Sequence, residues 1–95
     1  MSIIYLAGPM SGIPMFNRPA FNLEAYRLNN QGHSVLNPAM LPDGLTQAQY
    51  MSICLPMVIA ADEVRMLLGW ENSSGASAEH SLALKLCKTI TYQVE

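Results

Sequence analysis

Glu79 and Tyr5 are two residues of this chain whose chemistry could be joined in one reaction. Glu79 follows a run of small residues, Ser73-Ser74-Gly75-Ala76-Ser77-Ala78, and falls in the first turn or two of a helix. A carboxylate near a helix N-terminus is expected to stay ionised, because the helix dipole favours its charge. Held at a pocket, such a group can attack an anomeric carbon and carry the sugar as a covalent ester. The plainer alternative is a solvated glutamate that only complements the dipole. Tyr5 lies mid-strand in Ile3-Ile4-Tyr5-Leu6-Ala7. Its hydroxyl could orient the carboxylate, or it could be a core ring whose OH finds some other partner.

The surroundings of these two residues suit an anionic ligand. Small residues at Gly75 and Ala76 let a ligand approach the backbone, and the free N–H groups of the helix start favour a phosphate or carboxylate. Ser73 adds a hydroxyl there, although a serine at that place can equally be an N-cap. The first strand runs into Gly8-Pro9-Met10-Ser11-Gly12, a turn-shaped loop at the same end of the sheet. Trp70 could stack on a base or be buried at a subunit interface, and Arg18 could pair with a phosphate or stay on the surface. Asp62 is read as structural or as a cap. His33 and His80 have no partners at catalytic spacing, and His80 points about 100° away from Glu79 on a helix.

The elements that must position these groups alternate in type. Strands are predicted at Ile3 to Ala7, Ser34 to Leu36, Glu63 to Leu68 and Thr89 to Val94. A first helix follows Asn17, its predicted cap, with Phe21, Ala25 and Leu28 on one face and Gly32 closing it. Thr46-x-x-Gln49 predicts a capping box for a second helix, which Pro56 should kink or split before it runs out at Ala60-Ala61-Asp62. A third helix is predicted from Ala76 to Lys88, with Ala78, Leu82 and Leu86 spaced by four. The order β-α-β-α-β-α-β implies one α/β domain over residues 1–95, a parallel sheet with helices on both faces, and ligands beyond the carboxyl ends of the strands.

Composition narrows the function classes. Hydrophobic residues make up 51% of 95 residues and charged ones only 13%, which favours self-association, so a homo-oligomer is expected. Five scattered basic residues and a net charge of −2 argue against a nucleic-acid surface. Cys54 and Cys87 form no zinc or disulfide pattern, no cofactor or metal is called for, and free thiols fit a reducing cytoplasm. No signal segment or membrane-spanning run is evident.

Together the stretches IYLAGPMSG and AADEVRMLLGWENSSGA, with the step Gly75-Ala76-x-x-Glu79 and Ala83 after it, resemble the nucleoside 2-deoxyribosyltransferase-like superfamily. That superfamily includes deoxynucleoside 5′-monophosphate N-glycosidases. The resemblance covers nearly the whole chain and implies a flavodoxin-like, Rossmann-like three-layer sandwich, here with about four strands. It implies Glu79 as the nucleophile at C1′ of a deoxyribose, Tyr5 as its holder, and Gly8 to Gly12 along the sugar and phosphate. A serine six residues before the nucleophile, here Ser73, goes with a 5′-phosphate, where the transferases carry an aspartate for the free 5′-hydroxyl. Three departures accompany it: Cys54 stands where an aspartate often serves the base, the first loop lacks an arginine that some hydrolases use, and a fifth strand is missing. The edge so exposed calls for a second copy or a completing partner. A nucleotide-binding module that has lost efficient chemistry is the alternative function.

Overall fold

The computed structural model describes residues 1–94. Its strands are β1 (Ile3–Ala7), β2 (Ser34–Leu36), β3 (Glu63–Met66) and β4 (Thr89–Tyr92), and its helices are α1 (Arg18–Asn30), α2 (Gln47–Ala60) and α3 (Ser74–Lys85). The strands form one parallel sheet in the order β2-β1-β3-β4. Strand alternation divides β1 between two cores. Tyr5 and Ala7 pack with Cys54, Val58, Ala76 and Ala83 of α2 and α3. Ile4 and Leu6 pack with Phe21, Ala25 and Leu28 of α1. The result is a three-layer α/β arrangement, with β1 and β3 central and their carboxyl ends side by side.

Several helix ends follow sequence rules closely. Thr46 and Gln49 form a reciprocal capping box on α2. Gly32, at φ 92°, closes α1: its N–H reaches Asn29 O, and the His33 N–H reaches Leu28 O, the paired bonds of a Schellman ending. α3 ends by the same bonds, Cys87 to Leu84 and Lys88 to Ala83, with Cys87 in the left-handed position at φ 56°. That ending stops α3 at Lys85, short of the expected Lys88. It begins at Ser74, two residues earlier than expected, because Ser73 caps it by accepting from the Ala76 N–H at 3.1 Å.

Other expectations give way for identifiable reasons. Pro56 does not split α2, which runs on to Ala60. The Ser52 carbonyl that loses its partner lies on an exposed residue, where water can satisfy it. Asn17 does not cap α1 with its side chain; it sits at φ 59° and its amide donates to Pro9 O at 2.9 Å. Met15 and Phe16 are also left-handed, at φ 56° and 53°. Pro19 explains the turn: a right-handed helix continued upstream would drive its ring into the Met15 carbonyl. β3 and β4 each end two residues early, at Met66 and Tyr92. Beyond Met66 the chain is turned away by Gly69, at φ 85°. On α3 the buried stripe is Ala76, Glu79 and Ala83, while Ala78 and Leu86 are exposed. No helix among the described residues is long and apolar enough to cross a membrane.

Candidate functional site

A cavity of about 310 Å³ opens where the loops after β1, β2 and β3 meet. At its wall, the Tyr5 hydroxyl donates to Glu79 Oε2 at 2.8 Å, a buried bond between residues 74 apart in sequence. β1 aims Tyr5 toward α3 by strand alternation, and the adjacency of β1 and β3 puts α3 within its reach. Glu79 sits on the buried stripe because its neighbours there are alanines, which let the helix lie close to the sheet.

Burial governs the electrostatics. It pushes the Glu79 carboxyl up to about 7, while the hydrogen bond from Tyr5 pulls the other way. The expectation that the helix start keeps this group ionised is therefore corrected: Glu79 lies in the second turn of α3, where the dipole has faded, desolvation leads, and the group divides between acid and carboxylate near neutral pH. Burial, followed by the charge of Glu79, holds the Tyr5 phenol well above its ordinary value, so it remains a donor. Cys54 lies against both; burial raises its thiol, which stays protonated at neutral pH.

Most of the residues singled out by sequence converge here. Gly8, Pro9, Met10 and Ser11 line the cavity from one side, and Ser73, Gly75 and Ala76 from another. Gly12 and Trp70 do not line it. Trp70 instead stacks on His80, with ring centroids 4.3 Å apart, and His80 is bonded to the Tyr92 hydroxyl at 2.8 Å. His80 thus belongs to an aromatic cluster beside the site, an assignment its spacing from Glu79 did not suggest. Asp62 is structural: its carboxylate accepts from the Ile3 N–H, and its own N–H donates to Ile3 O. Gly8 has a packing reason for its size, since a Cβ there would meet the Leu67 Cβ at 2.9 Å.

The first half of α2 supplies a wall that the loop motifs did not indicate. Gln47, Tyr50, Met51 and Cys54 all line the cavity. Their spacing of i, i+3, i+4, i+7 marks one helical face, and that was the signal available. Phe16 and Arg18 complete the mouth on the side of α1.

A family model matches residues 2–92, from β1 to the end of β4. The chain belongs to the family described as Domain of unknown function (DUF4406). No curated protein matches it. The family match takes in both Tyr5 and Glu79. Among the described residues no group of three or more His, Cys, Asp or Glu side chains could hold a metal ion.

Proposed function

We propose that this DUF4406 chain cleaves the N-glycosidic bond of a deoxynucleoside 5′-monophosphate through a covalent glycosyl-glutamate. The observation that carries the reading is the bond between the Tyr5 hydroxyl and Glu79 Oε2 at the wall of the cavity. In the ionised form, a Glu79 oxygen attacks C1′ of the sugar. The C1′–N bond breaks, and its electron pair leaves with the base, which takes a proton from solvent. Water then opens the ester and releases the sugar phosphate, or a second base takes the sugar and completes a 2-deoxyribosyl transfer. Tyr5 orients the carboxylate. Ser73, whose oxygen accepts from the Ala76 N–H, keeps its own proton to donate to a phosphate oxygen at the start of α3.

The same reading takes the three-layer sheet as flavodoxin-like, with its ligand beyond the carboxyl ends of β1 and β3. It also places the protein in the cytoplasm as a homo-oligomer, supported by exposed Leu84, Leu86 and Tyr92 near the β4 edge. A second reading, a nucleotide-binding module with little turnover, draws on the protonated thiol of Cys54 where an acid could assist the departing base.

Incubation with each deoxynucleoside and its 5′-monophosphate, followed by chromatography for free base, separates the two. Base release that vanishes in Glu79→Ala supports the glycosidase. Binding without base release, unchanged in Glu79→Ala, supports the module. Ser73→Ala is expected to weaken monophosphates more than nucleosides, and equal loss of both defeats the phosphate assignment.

A further inference from the structure

Two residues lining the cavity carry formal charge, Glu79 and Arg18. Arg18 is held in an unusual way. Its Nε donates to Ala39 O and its Nη2 to Leu41 O, each at 3.1 Å, so two backbone carbonyls fix the guanidinium plane. The same Nη2 also pairs with the carboxylate of Asp43. The Nη1 hydrogens have no protein partner among the described residues. The Arg18 side chain is 27% exposed and that of Asp43 65%.

These facts separate orientation from neutralisation. The carbonyls of Ala39 and Leu41 orient the fork without removing its charge. Asp43 supplies the counter-charge from an exposed loop, and such a pair is held weakly in water. A phosphate offers three acceptor oxygens to a pre-oriented guanidinium, where Asp43 engages it through Oδ1 alone. The chain's net charge of −2 would not draw an anion by its overall field, so a local cation has to do so. Ser73 and the start of α3 contribute hydroxyls and dipoles but no full charge.

We propose that Arg18 is the cationic receptor for the acidic group of the ligand, and that Asp43 is its built-in competitor, displaced when the ligand's phosphate arrives. The proposal rests on the nucleotide reading of this cavity and makes its ligand an anion. It assigns Arg18 as a binding residue and Asp43 as a residue that sets affinity without touching the sugar.

The test is titration of the full chain with 2-deoxyribose 5-phosphate and with 2-deoxyribose, followed by calorimetry or amide chemical shifts. Arg18→Gln is expected to weaken the phosphate compound by about tenfold or more, the range of a charge-assisted contact. Asp43→Asn breaks no backbone contact and is expected to tighten it by up to about fivefold, the range of an exposed ion pair. The tightening should shrink as salt is raised. Binding of 2-deoxyribose should be unchanged in Asp43→Asn. Absence of phosphate-dependent binding, or equal effects of Asp43→Asn on both compounds, overturns the proposal. Because neither probe carries a base, the result is independent of turnover. Arg18-dependent phosphate binding in a protein that releases no base defeats the glycosidase and leaves the receptor standing, whereas base release with no Asp43 effect does the reverse.

Discussion

Between pH 4.5, its ordinary value, and about 7, Glu79 holds a proton in the folded chain that it would lose on unfolding. The folded state therefore binds more protons in that window, and this group makes stability fall as pH rises through it, levelling off above about 7. The span corresponds to a loss on the order of 3 kcal/mol. Glu79→Gln keeps the shape and the acceptor for Tyr5 but cannot ionise. Urea unfolding is expected to find the variant close to the parent at pH 4 and more stable than it at pH 8; parallel pH curves would refute the buried titration. Tyr5→Phe acts on the same equilibrium from the other side. Removing the bond that lowers the Glu79 carboxyl moves its midpoint further above 7. Carboxyl NMR reads that shift without any turnover. If base is released, its rate at pH 7 should fall by roughly tenfold or more, since a hydrogen bond to a charged group contributes about 1.5–3 kcal/mol.

The elements explain why these side chains meet, and Gly75 tests which of them serve a ligand. Gly75 lies in the first turn of α3, and a Cβ there would meet only Met51 Sδ at 3.8 Å and Ser73 Oγ at 3.9 Å, ordinary contacts. Nothing in the protein requires glycine at that place, in contrast to Gly8. Gly75→Ala is expected to raise stability by about 0.5–1 kcal/mol, the helix-propensity difference. It is also expected to weaken binding of a deoxynucleoside 5′-monophosphate, if the backbone is the platform. A more stable variant with undiminished binding would remove Gly75 from the site. At this scale much was legible in advance. Apolar runs and turn residues located all four strands, and Thr46 and Gln49 announced α2. The two ends of α3 are less legible: Ser73 reads equally as a cap or as a ligand contact, and Cys87 in a left-handed position depends on bonds made only in the folded chain. The α2 wall was written at helical spacing, but nothing in Gln47, Tyr50 or Met51 said that this face would turn toward a cavity. The surroundings of Trp70 are hidden for a similar reason: its partner His80 is a helical neighbour of Glu79, and the stacking that joins them is tertiary.

Across the whole molecule the two faces of the sheet are completed by different means. On the α2 and α3 face the packing is apolar apart from Glu79 and the Tyr5 hydroxyl bonded to it. On the α1 face the flank toward β4 is filled by ions. Glu24, only 3% exposed, accepts from Nε and Nη2 of Arg27 and from Nη1 of Arg65, while Arg65 Nε donates to Thr91 and Thr91 to Glu63. The periodicity of α1 places position 24 beside Phe21 and Leu28 on the inner side, yet a glutamate there reads as solvent-facing until Arg65 of β3 is known to lie opposite. Hydrogen bonding from Arg27 leads the effects that hold the Glu24 carboxyl below its ordinary value, with the charges of Arg27 and Arg65 adding to it against desolvation. Its contribution to stability is therefore complete above pH 4.5, the ordinary value, and is lost as pH falls through the lowered one. Glu24 and Glu79 thus give stability opposite slopes with pH. Glu24→Gln leaves the partly buried Arg65 beside a neutral amide, with Glu63 at 3.7 Å as its remaining counter-charge; breaking a fully buried pair typically costs about 3–5 kcal/mol, and with Arg65 partly and Arg27 half exposed, a loss at or below the lower end is expected. The loss should be full at pH 7 and should shrink as pH falls through the lowered value of the parent carboxyl. Urea midpoints of both proteins through a descending pH series, with the Glu24 carboxyl followed by NMR in the parent, decide it: a loss that persists once that carboxyl is protonated would mean that Glu24 acts through shape rather than charge, and the ionic filling of this flank would then contribute nothing to holding α1 against the sheet.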